Sequence, residues 1–130
     1  MADLKTKILV VEDDPSVARV LGMALTAAGF DIAAATSGEE ALRILTHDGV
    51  APVKAVAMDL RIADGRGADV LQWLQLHEGQ PEAPVWLVMS SLDRQEAVRE
   101  FGPLGDNFVA KPFDPWKLVD LLKGLLHRAA

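Results

Sequence analysis

The sequence predicts an α/β fold: a single doubly wound, five-stranded parallel sheet flanked by five helices. Three observations predict it. Short apolar runs alternate with amphipathic segments from one end of the chain to the other. The runs carry no polar alternation, which is the pattern of strands buried on both faces. A length of 130 residues suits one ordinary domain and buries roughly two-thirds of its unfolded surface.

The elements follow in order. Ile8-Leu9-Val10-Val11 is a β-branched run that reads as the first strand. Asp14 and Pro15 are a good N-cap and N1 pair; Val17, Val20, Leu21, Ala24 and Leu25 then recur at helical spacing until Gly29. Asp31 to Ala35 is a weaker strand. Ser37-Gly38-Glu39-Glu40 is a capping box that opens a helix through about His47. Val53 to Leu60 is a strand that includes Asp59. A helix from Gly67 to about His77 presents Val70, Leu71 and Leu74 on one face, and Gly79 to Pro84 is a Gly/Pro loop. Val85 to Met89 is a central strand. Asp93 and Glu96 can cap a short helix ending near Gly102-Pro103, and Asn107 to Ala110 is the last strand. Asp114 caps a final helix, with Pro115 at N1, running to about His127.

Composition excludes several classes. Half of the residues are hydrophobic and a quarter charged, which is globular rather than disordered. The absence of cysteine removes disulfide scaffolds, thiolate zinc sites and cysteine nucleophiles together. The net charge of -6 makes a poor general binder of nucleic acid, because neutralising phosphates needs clustered Lys and Arg. No apolar run approaches the roughly 20 residues of a membrane-spanning helix. Met1-Ala2-Asp3-Leu4-Lys5-Thr6-Lys7 leads into four apolar residues and then three acids, so it does not read as a secretion signal. The expected location is the cytoplasm.

Ligands of an open α/β sheet sit outside the carboxyl ends of its strands. The first strand ends in Glu12-Asp13-Asp14 and the third in Asp59. The fourth ends in Ser90-Ser91, and Lys111-Pro112 follows the fifth. Several carboxylates, a hydroxyl and an ammonium therefore converge on one edge. Crowded carboxylates repel, a hard cation relieves them, and Mg²⁺ is the natural candidate. The same acids would repel a pyrophosphate, and neither Gly-x-Gly-x-x-Gly nor a P-loop pattern is present. His47, His77 and His127 fall at helix ends or outer faces, which leaves no Ser/His/Asp set. Trp73 and Trp86 read as packing residues; Trp116 could pack or bind.

These residues carry a family resemblance. The chain resembles the receiver (CheY-like) domain of two-component response regulators over about residues 6–127, within a single domain of 1–130. The carrying motifs are Ile8 to Pro15, Asp59 with Gly67 eight residues on, Met89-Ser90-Ser91-Leu92, and Lys111-Pro112-Phe113. Each is weak alone; four in order, each at a strand end, are specific. The resemblance implies the flavodoxin-like strand order 2-1-3-4-5. It implies that Asp59 accepts a phosphoryl group from a sensor histidine kinase or histidine phosphotransfer protein. It implies Mg²⁺ held by Glu12, Asp13, Asp59 and the main-chain carbonyl of Arg61. Ser90 would hydrogen-bond one phosphoryl oxygen and Lys111 pair with another; the apolar, hydroxyl, small-residue order selects Ser90 over Ser91. Lys111–Pro112 would be a cis bond, and Ser90 and Phe108 the switch pair. The signalling surface maps to roughly Asp93–Phe101, Asn107–Ala110 and Asp114–His127. On this reading the chain is not an enzyme beyond assisting its own phosphorylation and slow dephosphorylation.

The chain departs from the family pattern at a few places. Ala63 replaces the usual proline four residues after the acceptor, and Arg66 replaces a common acid; neither is expected to touch the chemistry. Arg61 is expected to reach over the phosphoryl group, or to lie across the acid pocket when metal is absent, tuning the lifetime of the phosphorylated state. Phe108 lacks the tyrosine hydroxyl, so switching would rest on ring packing. Plainer roles exist for single residues: helix capping for Glu12 and Asp13, a turn for Asp59, a solvated surface for Lys111. The leading function is a single-domain phosphorylation switch acting on a downstream target protein, with no direct contact to nucleic acid or membrane. The alternatives are the receiver of a longer regulator with a separate output domain, and a phosphorylation-independent interaction module. A haloacid-dehalogenase-type phosphohydrolase is rejected, because it wants a second Asp where Arg61 stands. Whether phosphorylation drives homodimerisation is left open.

Overall fold

A computed structural model describes residues 5–47 and 52–129. Met1 to Leu4, part of the stretch read against a secretion signal, lie outside the described residues. The strands are β1 (Lys7–Val11), β2 (Asp31–Ala35), β3 (Ala55–Asp59), β4 (Val85–Ser90) and β5 (Phe108–Ala110). The helices are α1 (Pro15–Ala27), α2 (Gly38–Thr46), α3 (Gly67–His77), α4 (Arg94–Phe101) and α5 (Pro115–Ala129). All strands pair in parallel in the order β2-β1-β3-β4-β5. Among the described residues, no helix is long and apolar enough to cross a membrane.

The unbroken apolar runs are explained by two cores, one on each face. Because side chains alternate across a strand, Ile8, Val10, Leu87 and Met89 pack under α1 and α5 with Leu25 and Leu118. Leu9, Val11, Met58 and Val88 pack on the other face with Val70, Leu71 and Ala97 of α3 and α4. Both sets are fully or almost fully buried. Trp86 and Trp73 join the second cluster as packing residues.

Boundaries shift slightly from the sequence reading, for identifiable reasons. Val53 is buried, but the ladder begins only where Ala55 meets Ile8 and Val85, so apolarity there marks burial rather than pairing. α5 continues two residues past His127, to Ala129. α1 closes as the sequence suggests, with Gly29 in the left-handed region at φ 96°. The capping signal on α2 is half of the story. Ser37 Oγ accepts the Glu40 N–H at 3.1 Å. The Gly38 and Glu39 N–H groups instead donate to the Asp64 carboxylate, at 3.1 and 3.0 Å, across 26 and 25 residues of chain. These bonds hold the Asp64 carboxyl below the ordinary carboxylate range, with the Glu39 N–H as the main cause.

That contact places the segment between β3 and α3 against the first turn of α2, and two glycines permit the approach. A Cβ on Gly38 would lie 2.7 Å from Arg66 Cβ, and one on Gly67 would collide with the Leu60 carbonyl oxygen. Gly22, within α1, has nothing within 4 Å of its Cβ position. Gly67→Ala is therefore expected to lower the unfolding free energy by about 2 kcal/mol through steric overlap with backbone. Gly22→Ala should raise it by roughly 0.5–1 kcal/mol by removing backbone freedom from the unfolded chain. Urea unfolding of the two variants beside the parent checks the contrast.

Candidate functional site

Parallel strands end on the same edge, and the register of this sheet brings five polar side chains of three chemical kinds there. Glu12 follows β1, its N–H donating to Ala35 O at 3.0 Å at the tip of β2. Asp59 is the last residue of β3 and Ser90 the last of β4. Lys111 follows β5, with its N–H donating to Ser90 O at 2.8 Å. Asp13 stands half-buried beside Glu12. Glu12, Asp59 and Ser90 are the polar side chains buried among the described residues.

The Lys111 ammonium joins them. Its Nζ donates to Glu12 Oε2 at 2.9 Å and to Asp59 Oδ2 at 2.8 Å. Main-chain donors hold the other carboxylate oxygens: Asp14 N–H on Glu12 Oε1 at 3.1 Å, Arg61 N–H on Asp59 Oδ1 at 3.0 Å, and Ala63 N–H on Asp13 Oδ2 at 2.8 Å. Burial pushes the Glu12 carboxyl above its ordinary 4.5, and the neighbouring Asp59 charge adds to this against the opposing hydrogen bonds from Lys111 and Asp14. Burial pulls Lys111 down, but its hydrogen bonds to Asp59 and Glu12 outweigh that and hold it above its ordinary 10.5, so it stays an ammonium.

The donor set fits a hard divalent cation. One oxygen each from Glu12, Asp13 and Asp59 lie within 4.8 Å of one another. Two Mg²⁺ ligands at about 2.1 Å on opposite sides of the ion are roughly 4 Å apart, so the cluster is of the right size with water completing the shell. Three carboxylates also face a single ammonium, an excess of negative charge that a divalent ion would balance.

Only some of the remaining sequence-predicted residues lie at this edge. Ser90 is 1% exposed while Ser91 is exposed, and Ser90 Oγ accepts the Leu92 N–H at 3.0 Å. The Lys111–Pro112 peptide is cis. Phe108 is half-buried against the α3–α4 core, with the Arg94 guanidinium 5.2 Å from its ring centroid. Trp116 is 55% exposed on the first turn of α5. His47 and His127 are exposed, and His77 stacks on Trp73 at 4.0 Å, away from the acids.

Two expectations require correction. The Arg61 side chain does not lie across the acid pocket: its guanidinium pairs with Glu100 of α4 at 2.6 Å. Lys111 already satisfies the Asp59 and Glu12 oxygens, which leaves Arg61 to the acid on the neighbouring helix. Ala63 does touch the site, through the main-chain N–H that binds Asp13 and that a proline would lack. Asp64 and Glu100 carried no sequence signal, since they act across long stretches of chain, and Ala63 stood out only as a missing proline, since it acts through its backbone N–H alone.

The fold and this edge cluster define a class: a doubly wound receiver-type domain. The comparisons place the chain within it. The family described as response regulator receiver domain matches residues 8–123, and the chain belongs to that family, the receiver domains of two-component response regulators. It is 33% identical over 131 residues to the DNA-binding response regulator MtrA of Mycolicibacterium smegmatis, covering 98% of this chain and 54% of that protein. It is 31% identical over 123 residues to the transcriptional regulatory protein KdpE of Mycobacterium tuberculosis, covering 95% and 52%. The chain thus spans about half the length of these curated relatives. Among solved structures it is similar to a response regulator receiver protein from Sinorhizobium medicae, with a TM-score of 0.80, 25% identity and coverage of 97% of this chain and 98% of that one. A response regulator described as such from Chloroflexus aurantiacus gives 0.79 and 28%, covering 96% and 100%.

The raised Glu12 carboxyl has a testable sign. The folded protein binds this proton more tightly than the unfolded chain, so Glu12 contributes less to stability as pH rises above its unfolded value of 4.5. Glu12→Gln does not titrate. Its stability relative to the parent is therefore expected to improve as pH is raised from 4.5 toward neutrality, measured by denaturant unfolding at a series of pH values.

Proposed function

We propose that this chain is the phosphoacceptor switch of a two-component phosphorelay, phosphorylated on Asp59. The observation that supports this most is the Lys111 bridge between Glu12 and Asp59 at the mouth of the sheet. It holds one Asp59 oxygen against a cation, with Arg61 N–H fixing the other. An Asp59 oxygen attacks the phosphorus of a phosphohistidine on a sensor kinase or phosphotransfer protein. The P–N bond breaks, its electron pair leaves with the imidazole, and an acyl phosphate forms on Asp59. Charge spreads over the transferring oxygens, so positioning and counter-charge do most of the work. Glu12, Asp13, Asp59 and the Arg61 carbonyl would hold Mg²⁺, which would supply counter-charge there. Lys111 pairs with one phosphoryl oxygen and the Ser90 hydroxyl donates to another.

The new charge on Asp59 then gives Ser90 and Lys111 a partner to move toward. Lys111 is tied to β4 through Ser90, and Phe108, the first residue of β5 and two residues before its end at that edge, packs against the core with the Arg94 guanidinium of α4 over its ring. We read the surface of α4, β5 and α5 as the face that changes, with the exposed Trp116 as its apolar contact for a downstream target protein. The net charge of -6 disfavours nucleic acid as a direct partner of this chain. A cytoplasmic site of action goes with this reading.

A second reading is favoured by one observation: the relatives named DNA-binding or transcriptional regulators are about twice as long as the matched chain. The same switch would then control a separate output domain.

The test is intact-mass spectrometry after incubation with acetyl phosphate, with and without Mg²⁺, beside Asp59→Asn. The expected result is the gain of a single phosphoryl group that requires both Mg²⁺ and Asp59. No gain in the folded protein under any condition would move the reading to a phosphorylation-independent interaction module.

A further inference from the structure

Each carboxylate of the edge cluster accepts one main-chain N–H, but the three are not held alike. Glu12 and Asp59 share the Lys111 ammonium as well. Asp13 is half-buried, and the hydrogen bond that fixes its carboxylate is the one from Ala63, at 2.8 Å across 50 residues of chain. The geometry points to the main-chain N–H of Ala63 as the positioning group that presents Asp13 to the cation. This rests on the reading of the cluster as a Mg²⁺ site and adds to it a residue that sets the affinity of that site.

The physical argument is one of pre-organisation. A carboxylate without a second partner turns about its last torsion and must be ordered when the metal binds. Mg²⁺ tolerates little deviation from octahedral geometry at about 2.0–2.1 Å, so a misaimed ligand is costly. The Ala63 N–H takes one lone pair of Oδ2 and sets the carboxylate plane, leaving Oδ1 free to ligate. The donor is itself fixed in place. Ile62 is buried, Gly65 N–H closes the turn onto Ile62 O at 3.0 Å, and Asp64 anchors the turn to α2. Asp59, at the start of the same segment, is oriented by Arg61 N–H. One short stretch of backbone therefore aims two of the three carboxylates. Hydrogen-bond partners behind metal ligands typically change affinity by about 10–100-fold, and the exposure of Ala63 places it at the lower end.

The experiment is a calorimetric titration of the parent, Ala63→Pro and Ala63→Ser with Mg²⁺. Serine keeps the N–H; proline removes it and is the residue the family usually carries at this place. The expected result is a Kd about tenfold weaker for Ala63→Pro and within about twofold of the parent for Ala63→Ser. A second measurement needs no substitution: in the parent, the Ala63 amide should be protected from hydrogen exchange and remain so at saturating Mg²⁺. Ala63→Pro binding as tightly as the parent, both variants weakening alike, or loss of Ala63 protection on metal binding would each overturn the positioning role. A parent that takes up no Mg²⁺ overturns the site reading and this role together, which separates the two failures.

Discussion

A lysine ammonium sits 2.9 and 2.8 Å from two buried carboxylates that lie 99 and 52 residues away in the chain, and the rest of the molecule is arranged to make that contact. Burying two carboxylates side by side is costly unless a cation compensates them. The cation arrives from the opposite side of the sheet centre, after β5, so its reach depends on the order β1-β3-β4-β5 and on the register of each pair. A slip of one residue would turn Asp59 into the core and a buried apolar neighbour into the pocket. The Lys111 N–H to Ser90 O bond pins the last of these registers at the site itself.

The segment between Asp59 and Gly67 is the second organising feature. Its backbone aims Asp59 and Asp13 through Arg61 and Ala63, its Asp64 carboxylate caps α2, and its Arg61 side chain pairs with Glu100 on α4. The acidic edge, α2 and α4 thus meet in a single short stretch of chain. Gly38 and Gly67 exist at its borders because the approach leaves no room for a Cβ. The Arg61–Glu100 pair is largely exposed and contributes little to stability, on the order of 0–1 kcal/mol. A pair of that strength can exchange partners readily.

The fold was legible because each apolar run is a strand buried on two faces, and because Asp14-Pro15, Ser37 and Gly29 punctuate the helices by local chemistry. The convergence of Glu12, Asp13, Asp59, Ser90 and Lys111 was legible for a topological reason: parallel strands deliver their final residues to one edge. What escaped was everything that acts across the chain through backbone or through ordinary surface charge. Ala63 contributes only an N–H, which any residue but proline has. Asp64 caps a helix that begins 26 residues earlier, where the local signal pointed to Glu40. Glu100 looks like any acid on an exposed helix. Arg61 was misplaced because its sequence position suggests the nearest acids, while those acids already share Lys111.

The claim at the centre of this account is that Lys111 neutralises the acid pair and so opposes a cation entering the same pocket. The direct test is the Mg²⁺ affinity of Lys111→Met measured beside the parent. An ammonium and a divalent ion about 5 Å apart repel by about 1.7 kcal/mol even at the dielectric of water, so removing the ammonium should tighten Mg²⁺ binding by at least about tenfold. Equal or weaker binding in a folded Lys111→Met protein would contradict the account, because Lys111 would then be a support for the metal site rather than its counter-charge.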